Sequence, residues 1–512
     1  MQRSRHLLRS SLIVIALFGL SKAVGLIRAR LVAGAFGAGL EYDAFTAANQ
    51  LPELFFAVIA GGSLAAALIP VYSQYLSQEG RDGAQRLANT ILTLVLVVLG
   101  SVSAVGILLA PWLTRHVLVP DFSPEQQLLT AQIMRVILLQ TTIFGFSGAL
   151  GSLLNAHQHF ALPALAPLSL DIGYFIGIFL LVPRLGIIGL AWGTVAGALF
   201  HLLIQTPALA RYRIGYRPAL ELRLRGVGEI VRLMGPRIVT LGVIQFADLF
   251  VIRLASGLPT GATSAYFNAY AIMQVPQTLF GTAIALVVFP TLAELYNARD
   301  IDGLRRTAAT TLGIIWTLTI PAAAATVLLG REIIVFLFQG GAFDAQATQL
   351  VYAVLAVFSI RIVSESTLEI VARLYYARHN TVVPMLAYFG WLALTAVAAL
   401  VFVRSLGVVG LALATTIGFT LLAAVLFEGN RRDLGGLGGR ALQRSFLRAV
   451  AATAIMSLAI WLVGRVVTAP ILFLLAGALI GGGVYLAANW LLGGRELRIL
   501  WQIIRARAAT TS

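Results

Sequence analysis

The residues best suited to bind a ligand are basic side chains within otherwise apolar segments. Lys22 and Arg28 lie six residues apart in the first of these segments, about 9 Å along a helix axis. The sequence "GLIRARL" around Arg28 is echoed by "FVIRLAS" around Arg253, 225 residues later. Arginines that share a cavity suit an anion, and the planar guanidinium suits phosphate in particular. The alternatives are snorkelling toward an interface and structural pairing with Asp43 or Asp248.

A second group of charged residues follows a helical spacing of four. Its members are Arg361, Glu365, Glu369 and Arg373. This spacing places them on one helix face and favours internal ion pairs, and the alternative is cation coupling through Glu365 or Glu369. Two further acids stand in apolar segments. Glu53 is a candidate gating or coupling carboxylate, and Asp171 is expected to bind a neighbouring helix.

The sequence carries no motif typical of an enzyme. There is no P-loop, no G-x-S-x-G and no H-E-x-x-H pattern, so no catalytic residue is assigned. Cysteine is absent, which excludes a disulfide framework and a thiolate site. His157 and His159 flank a turn, where an interfacial role is expected over metal binding. We predict no metal and no cofactor, and we expect a membrane potential, an ion gradient or a substrate gradient to drive any transport.

The composition of the 512 residues shows what kind of elements must position these side chains. Apolar residues make up 59% and charged residues only 11%, against about 25% charged in soluble domains. This excludes a soluble enzyme, a nucleic-acid-binding protein and a disordered chain. The net charge of +16 therefore has to be interpreted through the location of the basic residues. The chain is predicted to be an all-α polytopic membrane protein.

Apolar runs long enough to cross a bilayer, about 20 residues each, recur along the whole chain. The fourteen predicted spans are 11–34, 46–70, 88–112, 129–154, 160–182, 186–209, 230–256, 264–291, 308–330, 347–376, 381–404, 407–428, 445–467 and 470–493. If the N-terminus is cytoplasmic, 25 basic residues fall in cytoplasmic segments and five on the opposite face. The positive-inside rule then predicts that both termini are cytoplasmic.

Short sequence matches indicate an internal repeat. Pro163 aligns with Pro384, and Gly186 aligns with Gly407, both at an offset of 221 residues. The repeat predicts two six-helix bundles of the same orientation, followed by two extra helices, which is an arrangement typical of alternating-access transporters. The predicted divisions are 1–220 for the first bundle, 221–435 for the second, and 436–512 for two additional helices and a basic tail.

Several blocks resemble one known family. They are "GLIRARLVAGAFGAGLEYDAFTAANQLPELF" (25–55), "LLNAHQHFALPALAP" (153–167), "GLAWGTVAGAL" (189–199), "VRLMGP" (231–236), "LFQGGAF" (337–343) and "YYARHNTVVP" (375–384). Together they resemble the MurJ/MviN lipid II flippases of the MOP superfamily. The resemblance implies a bacterial plasma-membrane protein of peptidoglycan biosynthesis that moves a lipid-linked cell-wall precursor outward. The implied partners are an undecaprenyl-pyrophosphate-linked glycan lipid, membrane lipids and a cell-wall synthesis complex, without nucleic acid.

The resemblance also implies site residues. Arg28 matches an essential arginine of the family, Asp43 matches an aspartate that opens helix 2, and Lys22 stands where arginine is common. Arg28, Lys22 and Arg253 are predicted to hold the pyrophosphate, with Arg253 included because of its repeat relation to Arg28 and not because of the resemblance. Asp43 is predicted to belong to the same substrate-binding site. The predicted polar neighbours of this site are Asn49, Gln245 and Gln274.

Two positions depart from the family pattern. Phe56 and Ala271 stand where the resemblance would place arginines of the central cavity. These departures keep open a flippase for another polyprenyl-pyrophosphate-linked oligosaccharide. Two further alternatives are a cation-coupled drug exporter, which would use Asp248, Glu365 or Glu369, and a membrane scaffold without transport.

Overall fold

Long apolar segments in a bilayer must satisfy their backbone groups internally, and the helix does this within a single segment. The computed structural model describes residues 24–59, 62–159, 161–494 and Glu496. All regular elements of these residues are helices, apart from one isolated bridge between Gly340 and Phe343. Lys22 lies outside the described residues. The predicted all-α membrane fold is confirmed.

By its internal contacts the chain divides into two compact units, Met1–Ser264 and Ala265–Ser512. The helices that lie within the first unit are α1 (24–36), α2 (Leu40–Ile59), α3 (Gly62–Gln78), α4 (Gly80–Leu113), α5 (Pro124–Ala156), α6 (Ala161–Ile176), α7 (Val182–Leu185), α8 (Ile187–Leu203), α9 (Thr206–Arg211) and α10 (Arg225–Ala255). Short π-helical turns extend α4 over Thr114–Leu118 and link α6 to α7 over Gly177–Leu181.

The helix α11 (Ala262–Gln277) begins at the end of the first unit, and a π-helical turn, Thr278–Thr282, follows it. The remaining helices are α12 (Ala283–Asn297), α13 (Ile301–Leu337), α14 (Ala345–Ala377), α15 (Val382–Asp433), α16 (Gly439–Val466) and α17 (Pro470–Leu491). The last two helices pack against α13 through an apolar cluster that includes Leu329, Met456 and Ile460.

Twelve helical stretches of the described residues are long and apolar enough to span a membrane. One of them, α15, has 52 residues and would be about 78 Å long as a single helix, against a bilayer core of about 30 Å. It breaks at Gly407, whose φ of 57° and ψ of −134° are not helical, so α15 supplies two spans. The predicted first span, 11–34, lies largely outside the described residues.

The internal repeat is visible in the backbone turns as well as in the sequence. At four turns, a residue with positive φ in one half of the chain has a counterpart about 220 residues later. The pairs are Gly80 and Arg299, Gln158 and His379, Gly186 and Gly407, and Arg213 and Gly435. The turns at Gln158 and His379 also have the same hydrogen-bond pattern. In each turn one backbone N–H donates to the carbonyl three residues earlier, and the next N–H donates to the carbonyl five residues earlier. The predicted repeat is therefore confirmed.

The helix α10 opens the second copy of the repeat, yet it lies within the first compact unit. It contacts α2 and α3 there, and its Gly226 N–H donates a 2.8 Å hydrogen bond to the Tyr75 hydroxyl of α3. Contacts thus divide the chain at Ser264, after the seventh span. The boundaries at 220 and 435 follow the sequence repeat and stay a prediction.

The helices α6 and α8 touch through their backbones. A Cβ atom added to Gly173 would lie 2.2 Å from the Gly197 nitrogen and 2.4 Å from the Gly193 carbonyl oxygen. Small residues allow this approach, and close packing of this kind holds helices together in lipid, where apolar burial gives no net drive. Since α6 carries Asp171 and Tyr174, this contact fixes the position of both side chains.

Replacing Gly186 with alanine is expected to destabilise the protein by about 1–3 kcal/mol, because its φ of 57° and ψ of −145° are strained for any residue with a Cβ. The added methyl group would meet no atom within 4 Å, so the loss would report backbone strain alone. Thermal unfolding in detergent would measure it. Gly242→Ala, at a helical position that is equally open, is the control and is expected to leave stability unchanged or slightly higher. Equal melting temperatures for Gly186→Ala and wild type would contradict the prediction.

Candidate functional site

Among the predicted substrate-binding residues, Arg28 has the surroundings that best suit an anion. Its Nη1 lies 2.8 Å from the Asp171 Oδ1, and its guanidinium carbon lies 4.4 Å from the centre of the Tyr174 ring. The Arg28 side chain is 34% exposed, whereas that of Asp171 is only 4% exposed. Asp171 and Tyr174 are three residues apart on α6, so one helix face provides both contacts.

This arrangement orients the guanidinium without enclosing it. Arg28 has five N–H donors, the ion pair with Asp171 uses one of them, and the ring of Tyr174 covers one face. The guanidinium is partly exposed, and its planar fork can match two phosphate oxygens of an anion that approaches it. The alternative of structural pairing predicts Asp43 or Asp248 as the ion-pair partner of Arg28. The partner is Asp171, and Asp43 is engaged elsewhere.

Asp43 is buried, with 2% of its surface exposed. Its two carboxylate oxygens accept hydrogen bonds from the backbone N–H groups of Gly261, at 2.6 Å, and Ser264, at 2.7 Å. Both donors belong to the start of α11, where N–H groups have no partner within the helix. Asp43 therefore caps α11 from a distant part of the chain, and in this conformation it holds a helix end instead of offering an oxygen to a ligand.

Asp43→Ala is expected to lower the free energy of unfolding by about 1–3 kcal/mol for each of the two N–H groups left without a partner. Asp43→Asn should lose less, because one amide oxygen can still accept a hydrogen bond. Melting temperatures of purified protein in detergent would show this order. Glu41→Ala, which removes an exposed acid from the same helix turn, is the control. An Asp43→Ala protein as stable as Glu41→Ala would rule out the capping role.

Arg253 lies near the C-terminal end of α10. Its Nη1 donates to the carbonyl oxygens of His116, at 2.6 Å, and Val117, at 3.1 Å. These carbonyls belong to the π-helical end of α4, whose last carbonyl groups need donors. In this conformation the Arg253 guanidinium caps that end. The partners of Arg253 differ from those of Arg28. The structure therefore gives these two predicted substrate-binding residues no contact partner in common.

The three predicted polar neighbours occupy different surroundings. Asn49 donates a 3.4 Å hydrogen bond to Glu53, one turn later on α2. Gln245 is half-buried midway along α10. In the second unit, Gln274 donates to the Tyr270 hydroxyl at 2.6 Å and reaches Glu365 at 3.5 Å. Gln274 therefore belongs to the charged network of α14.

The four charged residues of α14 that are spaced four apart, which we call the charged stripe, form ion pairs with one another, as their spacing predicts. Arg361 Nε lies 2.7 Å from Glu365 Oε2, and Arg373 is ion-paired with Glu369. The Arg361 side chain is only 6% exposed, and its guanidinium carbon lies 4.0 Å from the centre of the Phe419 ring. Unlike Arg28, this arginine is enclosed, so we assign it a structural role.

Aromatic packing accounts for one departure from the family pattern. Phe56, at a position where the resemblance would place an arginine, lies with its ring centre 4.5 Å from that of Phe144. The Phe144 ring in turn lies 4.6 Å from the His201 imidazole. Ala271, at the second such position, is exposed on α11. The structure therefore puts a ring cluster at one position and a small side chain at the other.

The histidines at the turn after α5 belong to an aromatic cluster. The His157 Nε2 lies 3.0 Å from the Tyr72 hydroxyl, and its ring stacks on that of Tyr212 with centres 5.0 Å apart. Burial, and then the charge of Arg81, lowers the pKa of His157. Burial also lowers the pKa of His159. Both shifts favour the neutral imidazole. Within the described part of the chain, no group of three or more metal-ligating side chains occurs.

The twelve membrane-length helical stretches of the described residues indicate a multi-pass membrane protein, and an internal repeat is typical of transporters. The family model described as lipid II flippase MurJ matches residues 32–479. The chain therefore belongs to the MurJ lipid II flippase family. A lipid II flippase of Burkholderia cenocepacia is 30% identical over 434 residues, covering 83% of this chain and 84% of that protein. A probable lipid II flippase of Bdellovibrio bacteriovorus is 31% identical over 420 residues, or 80% and 79% of the two chains.

Solved structures show the same fold. A lipid II flippase MurJ in an inward closed conformation matches with a TM-score of 0.81 and 22% identity, over 93% of this chain and 98% of that chain. An inward-facing multidrug resistance transporter of the MATE family, from the MOP superfamily, matches with a TM-score of 0.71 and 16% identity, over 83% and 96%. These likenesses show the fold, whereas the sequence match identifies the family.

Proposed function

We propose that this protein moves lipid II, the lipid-linked peptidoglycan precursor, from the cytoplasmic to the outer face of the bacterial plasma membrane. The observation that carries the proposal is the family match over residues 32–479, together with relatives that are named lipid II flippases. The movement makes and breaks no covalent bond. The protein therefore needs binding groups and a conformational change, and it needs no catalytic residue.

In this proposal Arg28 binds the pyrophosphate of the substrate. Asp171 and Tyr174 hold the guanidinium in place, so little side-chain freedom is lost when the anion binds. Lys22, six residues before Arg28 in the sequence, would add a second positive charge. Arg253 could contribute only if its bonds to the His116 and Val117 carbonyls open during the cycle.

The driving force and the orientation are also part of the proposal. We infer that both termini are cytoplasmic, because 25 basic residues would then lie on the cytoplasmic side and five on the other. The membrane potential or an ion gradient would drive alternating access between the two six-helix repeats. No bound cofactor is required in this scheme, and a cell-wall synthesis complex is the proposed protein partner.

Complementation tests the function directly. A bacterium depleted of its own lipid II flippase would express this protein, with the Burkholderia cenocepacia relative as the control for a foreign protein in the same host. Rescue of growth at a matched membrane level is the expected result. If the relative rescues and this protein does not, despite equal membrane insertion, the lipid II assignment is wrong, and another lipid-linked glycan should be tested.

A further inference from the structure

The segment between α9 and α10, residues 212–224, is bound along one helix instead of projecting from the protein. We call this segment the linker. Four side chains on one face of α4 reach it at successive turns, which corresponds to the i, i+4 spacing of helix neighbours. They are Arg81, Gln85, Asn89 and Thr93.

These contacts fix the backbone of the linker. Asn89 Oδ1 accepts a 3.2 Å hydrogen bond from the Arg217 N–H, and Thr93 Oγ1 accepts one of the same length from the Ala219 N–H. After Ala219 the chain turns back, and Arg86 forms a two-point ion pair with Glu221. Hydrogen bonds from Arg86 lower the pKa of the Glu221 carboxyl. The tip of the linker is therefore held beside Thr93.

The length and composition of α4 place its entry into the membrane close to Thr93, near the start of the predicted span 88–112. The helix has 34 residues and is about 51 Å long, so about 20 Å of it extends beyond a bilayer core of about 30 Å. Residues 94–113 include no charged side chain, and Leu108 among them is 77% exposed, as expected of a side chain that faces lipid. The charged side chains of α4, namely Arg81, Asp82 and Arg86, all lie in residues 81–93. The tip of the linker reaches the end of this stretch that is nearest the membrane.

Both apolar and basic side chains are exposed on the linker. Leu220 is 54% exposed and Leu222 is 56% exposed, on either side of the paired Glu221. Three exposed arginines accompany them, namely Arg213, Arg217 and Arg223. Exposed leucines among arginines at a membrane boundary are the composition of segments that lie in the headgroup region of anionic membranes.

We propose that the linker is an interfacial anchor. Leu220 and Leu222 insert at the boundary between headgroups and acyl chains, and Arg213, Arg217 and Arg223 bind acidic phospholipid headgroups of the same leaflet. The ladder of hydrogen bonds from α4 sets the depth of the anchor. This inference concerns the lipid surface around the protein and is independent of the transported substrate.

A single spin label tests the depth of the linker. The chain contains no cysteine, so Leu220→Cys gives one labelling site on the full-length protein. The protein would be reconstituted in vesicles of phosphatidylcholine alone, and of phosphatidylcholine and phosphatidylglycerol in equal parts. Collision rates with oxygen, which concentrates in lipid, and with a water-soluble nickel chelate would be compared. Asp82→Cys serves as the aqueous reference and Leu108→Cys as the lipid reference.

We expect the label at position 220 to resemble the one at 108 more than the one at 82, and its ratio of oxygen to nickel collisions to rise roughly twofold with phosphatidylglycerol. Replacing Arg213, Arg217 and Arg223 together with glutamine should remove that rise. An unchanged Leu108→Cys signal in this variant would show that the fold is intact. A label at 220 as exposed to nickel as the label at 82 in both vesicles overturns the anchor. A rise that persists in the triple variant overturns the headgroup contact.

Discussion

Replacing Arg28 with alanine is expected to abolish rescue of a flippase-depleted bacterium, with at least a roughly tenfold loss of lipid II transport. A hydrogen bond to a charged group contributes about 1.5–3 kcal/mol, and each 1.36 kcal/mol corresponds to about tenfold in rate. Arg28→Lys keeps the charge but loses the planar fork, so an intermediate activity is expected. Arg404→Ala, which removes an exposed arginine elsewhere, is the matched control and should rescue fully.

A double variant separates ligand binding from structural pairing. Arg28→Ala leaves the Asp171 carboxylate buried without its ion-pair partner, and an uncompensated buried charge is strongly destabilising. Adding Asp171→Leu removes that carboxylate and should restore the melting temperature. If Arg28 binds the substrate, the double variant stays inactive although it is stable. Recovery of transport together with stability would show that Arg28 matters only as the partner of Asp171.

Gly173→Ala is expected to destabilise the first unit by about 3 kcal/mol or more, at the upper end of overpacking effects. The new methyl group would lie 2.2 Å from the Gly197 nitrogen and 2.3 Å from its Cα, and backbone atoms cannot move aside as a flexible side chain can. The helices α6 and α8 would have to separate, which would displace Asp171 and Tyr174 from Arg28.

Two measurements check the effect of Gly173→Ala. The melting temperature in detergent should fall, and the amount of folded protein in the membrane should fall with it. Gly100→Ala is a suitable control, because a methyl group on this α4 glycine would meet no atom within 4 Å. A Gly173→Ala protein that melts at the wild-type temperature would show that α6 and α8 tolerate a wider separation.

The features that the sequence predicts well are periodic or local. The repeat rests on matches such as Gly186 with Gly407, and the two residues have the same φ of 57°, because each side of the repeat needs the same glycine-only turn. The ion pairs of α14 follow from i, i+4 spacing alone. The paired stripe was therefore accessible without a structure.

Contacts between distant segments were not predictable in the same way. Arg28 and Asp171 are separated by 143 residues, and hydrophobic periodicity does not tell which helix faces meet. The signal that could have pointed to the pair was the presence of Asp171 and Tyr174 on one face of an apolar segment. The family resemblance places Asp43 in the predicted site through a residue type and a position alone. It does not show the backbone N–H groups of Gly261 and Ser264 that the carboxylate binds in this structure.

The capping role of Asp43 has a consequence for how the protein is made. Its partners Gly261 and Ser264 lie 218 and 221 residues downstream. At a synthesis rate of about 5–20 residues per second, roughly 10–40 s pass between translation of the carboxylate and of the groups that it caps. During this interval the first six predicted spans of the nascent chain include an acid, Asp43, without its native partners. The first half of the protein therefore completes its fold only after the seventh span, α10, and the start of α11 have left the ribosome. Until then Asp43 needs water or the insertion machinery.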